Sequence, residues 1–142
     1  MRAIVIYESL TGNTKRAAGL IAAELTAGGM ATTACPITRI DYQALADADL
    51  VIVGTWTDGM LVVGQRPGRA GRIRQLPVID GKRCVVFCTY AIDPGKTLHK
   101  LTAILQERGA DVLGGLAIRR QRLEEGVHQL VARVLDEVPA SP

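Results

Sequence analysis

The chain has 142 residues, a length that favours one domain over residues 1–142. Apolar residues make up 48% of the chain and aromatic residues only 4%, which predicts an aliphatic core of the kind that a helix-covered parallel sheet buries. The net charge of +3 is too small to indicate nucleic-acid binding, and no apolar run approaches the roughly 18 residues of a membrane span.

Strand and helix patterns alternate along the chain. The predicted strands are residues 2–7, 31–35, 49–54, 82–89 and 112–118. The predicted helices are residues 14–27, 41–47, 71–76, 94–108 and 124–138. Asp93 is the expected N-cap of the fourth helix, with Pro94 at its first position. The alternation predicts an α/β fold in which helices cover both faces of a parallel sheet.

A hydroxyl-rich turn, Ser9-Leu10-Thr11-Gly12-Asn13-Thr14, joins the first predicted strand to the first predicted helix. Such a turn points backbone N–H groups and hydroxyls inward, and the helix N-terminus adds the positive end of its dipole. The turn carries three hydroxyls and no Lys, which indicates a site where neutral donors bind a phosphate dianion. The alternative is an ordinary strand–turn–helix connection with Thr14 as the N-cap.

Two further loops are expected beside this turn. In an open parallel sheet, ligands bind beyond the carboxyl ends of the strands, where the strand order reverses. The loops that end there are residues 8–14, 54–60 and 88–95, and the second and third carry Trp56 and Tyr90. A ligand site formed by the three loops is therefore predicted.

These loops resemble those of the flavodoxin family, and the order of the elements fits the family over nearly the whole chain. The turn from Ser9 to Thr14 resembles the family's phosphate loop for flavin mononucleotide (FMN). Gly54-Thr55-Trp56-Thr57-Asp58-Gly59 resembles the second flavin loop, and Cys88-Thr89-Tyr90 resembles the third. The resemblance implies a flavodoxin-like three-layer sandwich, with a five-stranded parallel sheet of order 2-1-3-4-5 and helices on both faces.

The same resemblance implies which residues bind FMN. They are Ser9, Leu10, Thr11, Gly12, Asn13, Thr14, Thr55, Trp56, Thr57, Asp58, Gly59, Cys88, Thr89 and Tyr90. The hydroxyls of Ser9, Thr11 and Thr14 would bind the phosphate together with the backbone amides of the first loop. Trp56 and Tyr90 would cover the two faces of the flavin ring. The backbone of the second loop would lie near flavin N5, and that of the third would bond the pyrimidine edge.

Several of these residues also have an ordinary structural interpretation. Trp56 would cap the core beyond its strand, and Asp58-Gly59 would form a simple turn. Cys88 would be a small buried hydrophobe, like Cys84 four residues earlier.

The resemblance implies an electron-transfer protein that shuttles single electrons between redox partners through FMN, rather than a catalyst with its own substrate. The alternative is an FMN-dependent reductase of a quinone, porphyrin or similar acceptor. A third interpretation is a flavin-free binding module with the same fold. Pro94-Gly95-Lys96-Thr97 copies the end of a Walker A loop, but Tyr90 stands where that motif requires Gly, which argues against a nucleoside-triphosphate enzyme.

Typical flavodoxins are acidic, whereas here Arg66, Arg69, Arg72 and Arg74 follow the second loop and only Asp58 opposes them nearby. One interpretation is a solvated basic face on a short helix. The other is a cluster of positive charge that raises the flavin potential and contacts a redox partner carrying an acidic patch.

The apolar run at residues 60–63 would pack over the flavin edge or against a partner, which leaves a monomer and a weak homodimer as alternatives. Because Glu8 interrupts the first apolar run, no signal peptide is expected. Three cysteines without metal-ligand spacing indicate a reduced, cytoplasmic protein.

Overall fold

The computed structural model describes residues 1–59, 64–77 and 79–138, so the apolar run at residues 60–63 lies outside the described residues. The strands are β1 (Arg2–Tyr7), β2 (Ala31–Pro36), β3 (Leu50–Asp58), β4 (Arg66–Pro67), β5 (Arg83–Tyr90) and β6 (Asp111–Arg119). The α-helices are α1 (Asn13–Ala27), α2 (Tyr42–Asp47), α3 (Ala70–Ile73), α4 (Thr97–Glu107) and α5 (Leu123–Glu137). Short 3₁₀ helices span Ile37–Arg39 and Arg120–Arg122. Within the described ranges, none of the helices is both long and apolar enough to cross a membrane.

The five long strands form one parallel sheet in the order β2-β1-β3-β5-β6. Numbered among themselves, these strands have the order 2-1-3-4-5, which confirms the predicted α/β sandwich. The strand order reverses between β1 and β3. A crevice for a ligand is therefore expected at the carboxyl ends of these two strands.

The sheet differs from the prediction at β3, which continues to Asp58 instead of ending near Gly54. Beyond Gly54 the strand still pairs with β5, where Trp56 lies opposite Thr89. Its last two residues pair antiparallel with β4, a sixth strand that the sequence did not predict. β4 contains only two residues, one of them Pro67, so it carries no strand pattern that could be recognised.

Side chains alternate between the two faces of the sheet, and different helices bury each face. On one face, Val5 and Phe87 are fully buried together with residues of α1 and α5. On the other face, Ile4 and Val86 are fully buried together with residues of α2, α3 and α4. Helices thus cover both faces, as predicted, and the strand ends that form the site project from a close-packed platform.

The start of α4 was predicted wrongly. The helix begins at Thr97 rather than at Pro94. The Asp93 carboxylate accepts a hydrogen bond from the Gly95 amide at 2.9 Å, and Gly95 has φ 52°, in the left-handed region. Asp93 therefore closes a turn before the helix, because its side chain bonds a backbone amide only two residues away.

Candidate functional site

A cavity of about 260 Å³ opens at the carboxyl ends of β1, β3 and β5. Ten of the fourteen predicted site residues line it: Leu10, Thr11, Asn13, Thr14, Trp56, Thr57, Asp58, Gly59, Thr89 and Tyr90. Ala91 and Arg120 also line it and were not predicted, because neither belongs to a recognisable loop motif. Ser9, Gly12, Thr55 and Cys88 do not line the cavity. The three predicted loops therefore converge on one site.

The first loop is closed by its own polar groups. Ser9 Oγ accepts hydrogen bonds from the Gly12 and Lys15 amides, both at 3.2 Å, and Asn13 Nδ2 donates to Thr11 Oγ1 at 3.2 Å. Gly12 takes the N-cap position of α1 with φ 99°, a conformation that favours glycine. The first N–H groups of a helix lack intrahelical acceptors, so this loop offers donors and the positive end of α1 to the cavity.

Thr14 connects the first loop to the third. It is not the N-cap, because Gly12 holds that position. Instead its Oγ1 lies 2.9 Å from Thr89 Oγ1 at the end of β5. Both threonines are buried, with exposed fractions of 1% and 3%. The hydrogen bond between the two hydroxyls therefore joins two segments of the cavity wall that are 75 residues apart in the sequence.

Trp56 forms a second wall of the cavity and is itself supported from outside it. The Gly68 amide donates to the Trp56 carbonyl at 2.8 Å, and a Cβ at Gly68 would overlap the indole ring. The Arg69 guanidinium carbon lies 5.3 Å from the ring centroid. Thr55, which is fully buried, donates from Oγ1 to the Gly68 carbonyl at 2.8 Å. The Thr55 side chain thus ties β3 to the residue that packs against Trp56 and does not line the cavity.

Tyr90, like Trp56, has an arginine beside its ring. The guanidinium carbon of Arg119, at the end of β6, lies 5.7 Å from its ring centroid. Arg120, the next residue, lines the cavity directly. Both arginines reach the site because β6 is the neighbour of β5 in the sheet.

The thiol of Cys88 is buried, and its raised pKa keeps it protonated near neutral pH. Burial raises the pKa of Cys88 to about 11, and the nearby Thr57 hydroxyl lowers it slightly. Burial likewise raises the pKa of Cys84 to about 12. Thr57 Oγ1 is buried at the cavity, and among the residues that the structure describes the Cys88 thiol is the one polar group that it contacts. A ligand that offers a polar edge at this point would satisfy that hydroxyl.

The sequence analysis missed Glu8, a charged residue that lies beside the predicted site. It follows β1 directly, is only 5% exposed, and accepts hydrogen bonds on Oε1 from Arg69 Nη1 at 2.7 Å and Arg72 Nη1 at 3.1 Å. The expectation that only Asp58 opposes the arginines was therefore wrong, although Asp58 does pair with Arg66 at 3.6 Å. An acidic residue at the end of a buried strand was the one available signal, since such a carboxylate needs a cation.

Among the described residues, no group of three or more His, Cys, Asp or Glu side chains is arranged to hold a metal ion. The lining instead combines the hydroxyls and helix N-terminal donors of the first loop with the aromatic rings of Trp56 and Tyr90. Such a site suits a ligand with an anionic group and a flat ring.

Several solved structures share this fold. Oxidised flavodoxin 1 from Bacillus cereus is 23% identical, with a TM-score of 0.72 over 98% of this chain and 100% of that one. A flavodoxin from Streptococcus pneumoniae is 23% identical, with a TM-score of 0.67 over 94% of this chain and 100% of that one. Rubredoxin oxygen:oxidoreductase from Desulfovibrio gigas is 18% identical, with a TM-score of 0.67 over 98% of this chain but only 37% of its own.

At the level of sequence, no curated protein matches the chain. The family described as Flavodoxin domain matches residues 4–134, which include all three loops of the cavity. The match covers most of the chain and agrees with the strand order and with the position of the cavity. The chain therefore belongs to the flavodoxin family.

Proposed function

We propose that the protein binds FMN in the cavity at the carboxyl ends of β1, β3 and β5 and carries single electrons between redox partners. The observation that carries this proposal is the convergence of three loops on one cavity, whose lining combines the hydroxyls of the first loop with the aromatic side chains of Trp56 and Tyr90. Membership of the flavodoxin family supports the same class of electron-transfer flavoprotein.

The first loop fits a phosphate group. Its donors are hydroxyls and amides, and it contains no acidic side chain between Ser9 and Thr14. Thr11, Asn13 and Thr14 of this loop line the cavity and bring its donors to the cavity wall. Hydrogen bonds from neutral donors to a charged phosphate are stronger than those between neutral groups, which makes this loop the anchor for the anionic end.

The rest of the lining fits a flat ring with polar edges. Trp56 and Tyr90 both line the cavity and offer aromatic faces for stacking. The Thr57 hydroxyl and the backbone of Gly59, which has φ 95°, also line the cavity and offer polar groups for the edge of a ring. When bound, FMN would supply one-electron and two-electron redox chemistry, while these residues orient its ring and limit the access of water.

Charge around the cavity favours a reduced, negatively charged ring. Arg120 lines the cavity and Arg119 lies beside the Tyr90 ring, whereas Asp58 is the acidic residue of the lining and the charge of Arg69 is already paired with Glu8. Positive charge near a group stabilises its anionic form. We therefore expect the second one-electron reduction to occur at a higher potential than in a flavodoxin whose site is acidic.

A partner with an acidic patch fits the surface beside Asp58. A groove there has a volume of about 650 Å³, and its charged lining residues are Arg66, Arg69, Arg74, Lys100, Asp58 and Glu107. Because Arg69 pairs with Glu8 and Arg66 pairs with Asp58, the groove cations that remain for a partner are Arg74 and Lys100. Complementary charge of this kind would steer the encounter between the two proteins.

The proposal is tested by titrating the purified apoprotein with FMN and with riboflavin, which lacks the phosphate. We expect FMN to bind, to quench Trp56 fluorescence and to bind more tightly than riboflavin. An electron carrier should then take up electrons from a chemical reductant without turning over NADPH and quinone. Absence of FMN binding, or equal affinity for the two flavins, would contradict the proposed site.

A further inference from the structure

Arg69 stands out from the other arginines because three independent constraints act on it. Its Nη1 donates to the buried Oε1 of Glu8 at 2.7 Å. Its guanidinium carbon lies 5.3 Å from the centre of the Trp56 ring. It is also the one residue other than glycine that has a positive φ in the described part of the chain, at 48°. A left-handed conformation is unfavourable for a long side chain, so the surrounding contacts must hold it.

The contacts on Arg69 come from two different loops of the site. Glu8 lies between β1 and the first loop, and its Oε1 also accepts a hydrogen bond from Arg72 at 3.1 Å. Trp56 lies near the end of β3, in the second loop. Arg69 therefore links the segment that begins the first loop to the aromatic ring of the second.

The contacts of Arg69 with the indole do not involve the cavity lining. Trp56 lines the cavity, whereas neither Gly68 nor Arg69 does. Gly68 lies so close to the indole that a Cβ there would overlap the ring, and the Gly68 amide is bonded to the Trp56 carbonyl. Gly68 and the Arg69 guanidinium therefore pack against the indole without occupying the space that a ligand would use.

We infer that Arg69, anchored by the carboxylate of Glu8, is a positioning residue that holds Trp56 in place for stacking on the flavin. The inference rests on the proposed function, since the flavin is the ligand that would use the ring. It assigns the arginine-rich segment a role within the site, in addition to any role on the surface. The buried carboxylate of Glu8 holds the Arg69 guanidinium in place. The planar guanidinium in turn holds the indole through its contact with the ring.

The apoprotein allows a test that needs no flavin, because Trp56 is the single Trp of the chain. The variant Arg69→Asn removes the guanidinium while keeping a residue that tolerates the left-handed conformation. Arg74→Asn is the matched control, since it removes the same charge from a residue nearby that has no described contact with Trp56 or Glu8. Quenching of Trp56 fluorescence by acrylamide reports how accessible the ring is to solvent, and it rises when the indole leaves its packed position against Gly68.

A contact between a cation and an aromatic ring at a partly exposed site corresponds to about a two- to fivefold change in an equilibrium constant. We therefore expect Arg69→Asn to raise acrylamide quenching and to weaken FMN binding by about two- to fivefold, while Arg74→Asn leaves both unchanged. If Arg69→Asn does not fold, Arg69→Lys is compared with Arg74→Lys. Lysine keeps the charge toward Glu8 but lacks the planar group, so quenching should still rise.

The outcomes separate this inference from the proposed function. If wild type fails to bind FMN, the proposed function is wrong, while the quenching measurement still decides whether Arg69 holds Trp56. If wild type binds FMN but Arg69→Asn matches it in both quenching and affinity, the positioning role is wrong. Equal changes in the Arg69 and Arg74 variants would also overturn it, because they would indicate a general effect of charge.

Discussion

The pair of hydroxyls that joins Thr14 to Thr89 gives the sharpest prediction for stability. Either Thr14→Val or Thr89→Val removes one hydroxyl and keeps nearly the same shape, which leaves the other hydroxyl without the partner that it has at 2.9 Å. The double variant removes both hydroxyls together. We expect each single variant to destabilise the apoprotein and the double variant to cost little more than one single variant.

The magnitude follows from the burial of the two groups. Leaving a buried polar group unsatisfied costs about 1–3 kcal/mol, whereas replacing both partners by apolar groups of the same shape is nearly neutral. Both residues also line the cavity, so water can reach a hydroxyl that is left behind. We therefore expect about 1–2 kcal/mol for each single variant and a coupling energy of about 1 kcal/mol or more in the double-mutant cycle.

Urea unfolding of the apoprotein at fixed pH measures all four members of the cycle. Thr11→Val is the control, because Thr11 lies on the same loop but is exposed, and it should change the free energy of unfolding by no more than about 0.5 kcal/mol. If the effects of the two single variants add within about 0.5 kcal/mol, the hydroxyls do not act as a pair and the reasoning is refuted.

Three further results are expected. Thr11→Val should weaken FMN binding about tenfold, because it removes a donor to a charged phosphate; an unchanged dissociation constant in the FMN titration would argue against that contact. Gly54→Ala should lower the free energy of unfolding by about 1–3 kcal/mol, since its Cβ would overlap the buried Phe87 ring, and urea denaturation would measure the loss. The raised pKa values of Cys84 and Cys88, about 12 and about 11, mean that the unfolded chain releases these protons at lower pH than the folded chain. Stability should therefore fall as pH rises from about 9 to about 11, and replacing both cysteines by Ala should remove this part of the pH dependence in urea midpoints.

The sheet and the site loops could be predicted because local patterns define them. Continuous apolar runs such as that from Leu50 to Val53 mark buried parallel strands, and the turn that follows β1 is recognisable by its hydroxyls. Once the alternation of strands and helices is recognised, the chain must bring the carboxyl ends of the parallel strands to one edge. The position of the cavity follows from that rule.

The pairing of Glu8 and the strand β4 were missed because they depend on contacts between residues apart in the sequence, whereas the start of α4 was missed because of a local ambiguity. Glu8 and Arg69 are 61 residues apart, and no local pattern states which cation will reach a buried carboxylate. The start of α4 was misread because the same two residues, Asp93 and Pro94, suit both a helix N-terminus and the turn that precedes it. β4 escaped notice because it is a strand only through its pairing with Asp58 and Thr57.

The ion pairs of Glu8 also constrain how this sequence can diverge. One carboxylate that is 5% exposed pairs with both Arg69 and Arg72, whose side chains are 39% and 48% exposed, so loss of both arginines would leave a buried charge without its cations. Loss of both arginines should therefore be accompanied by a neutral residue at position 8, and the three positions should co-vary when homologous sequences are aligned. Either arginine alone can be exchanged, because the other still pairs with the carboxylate.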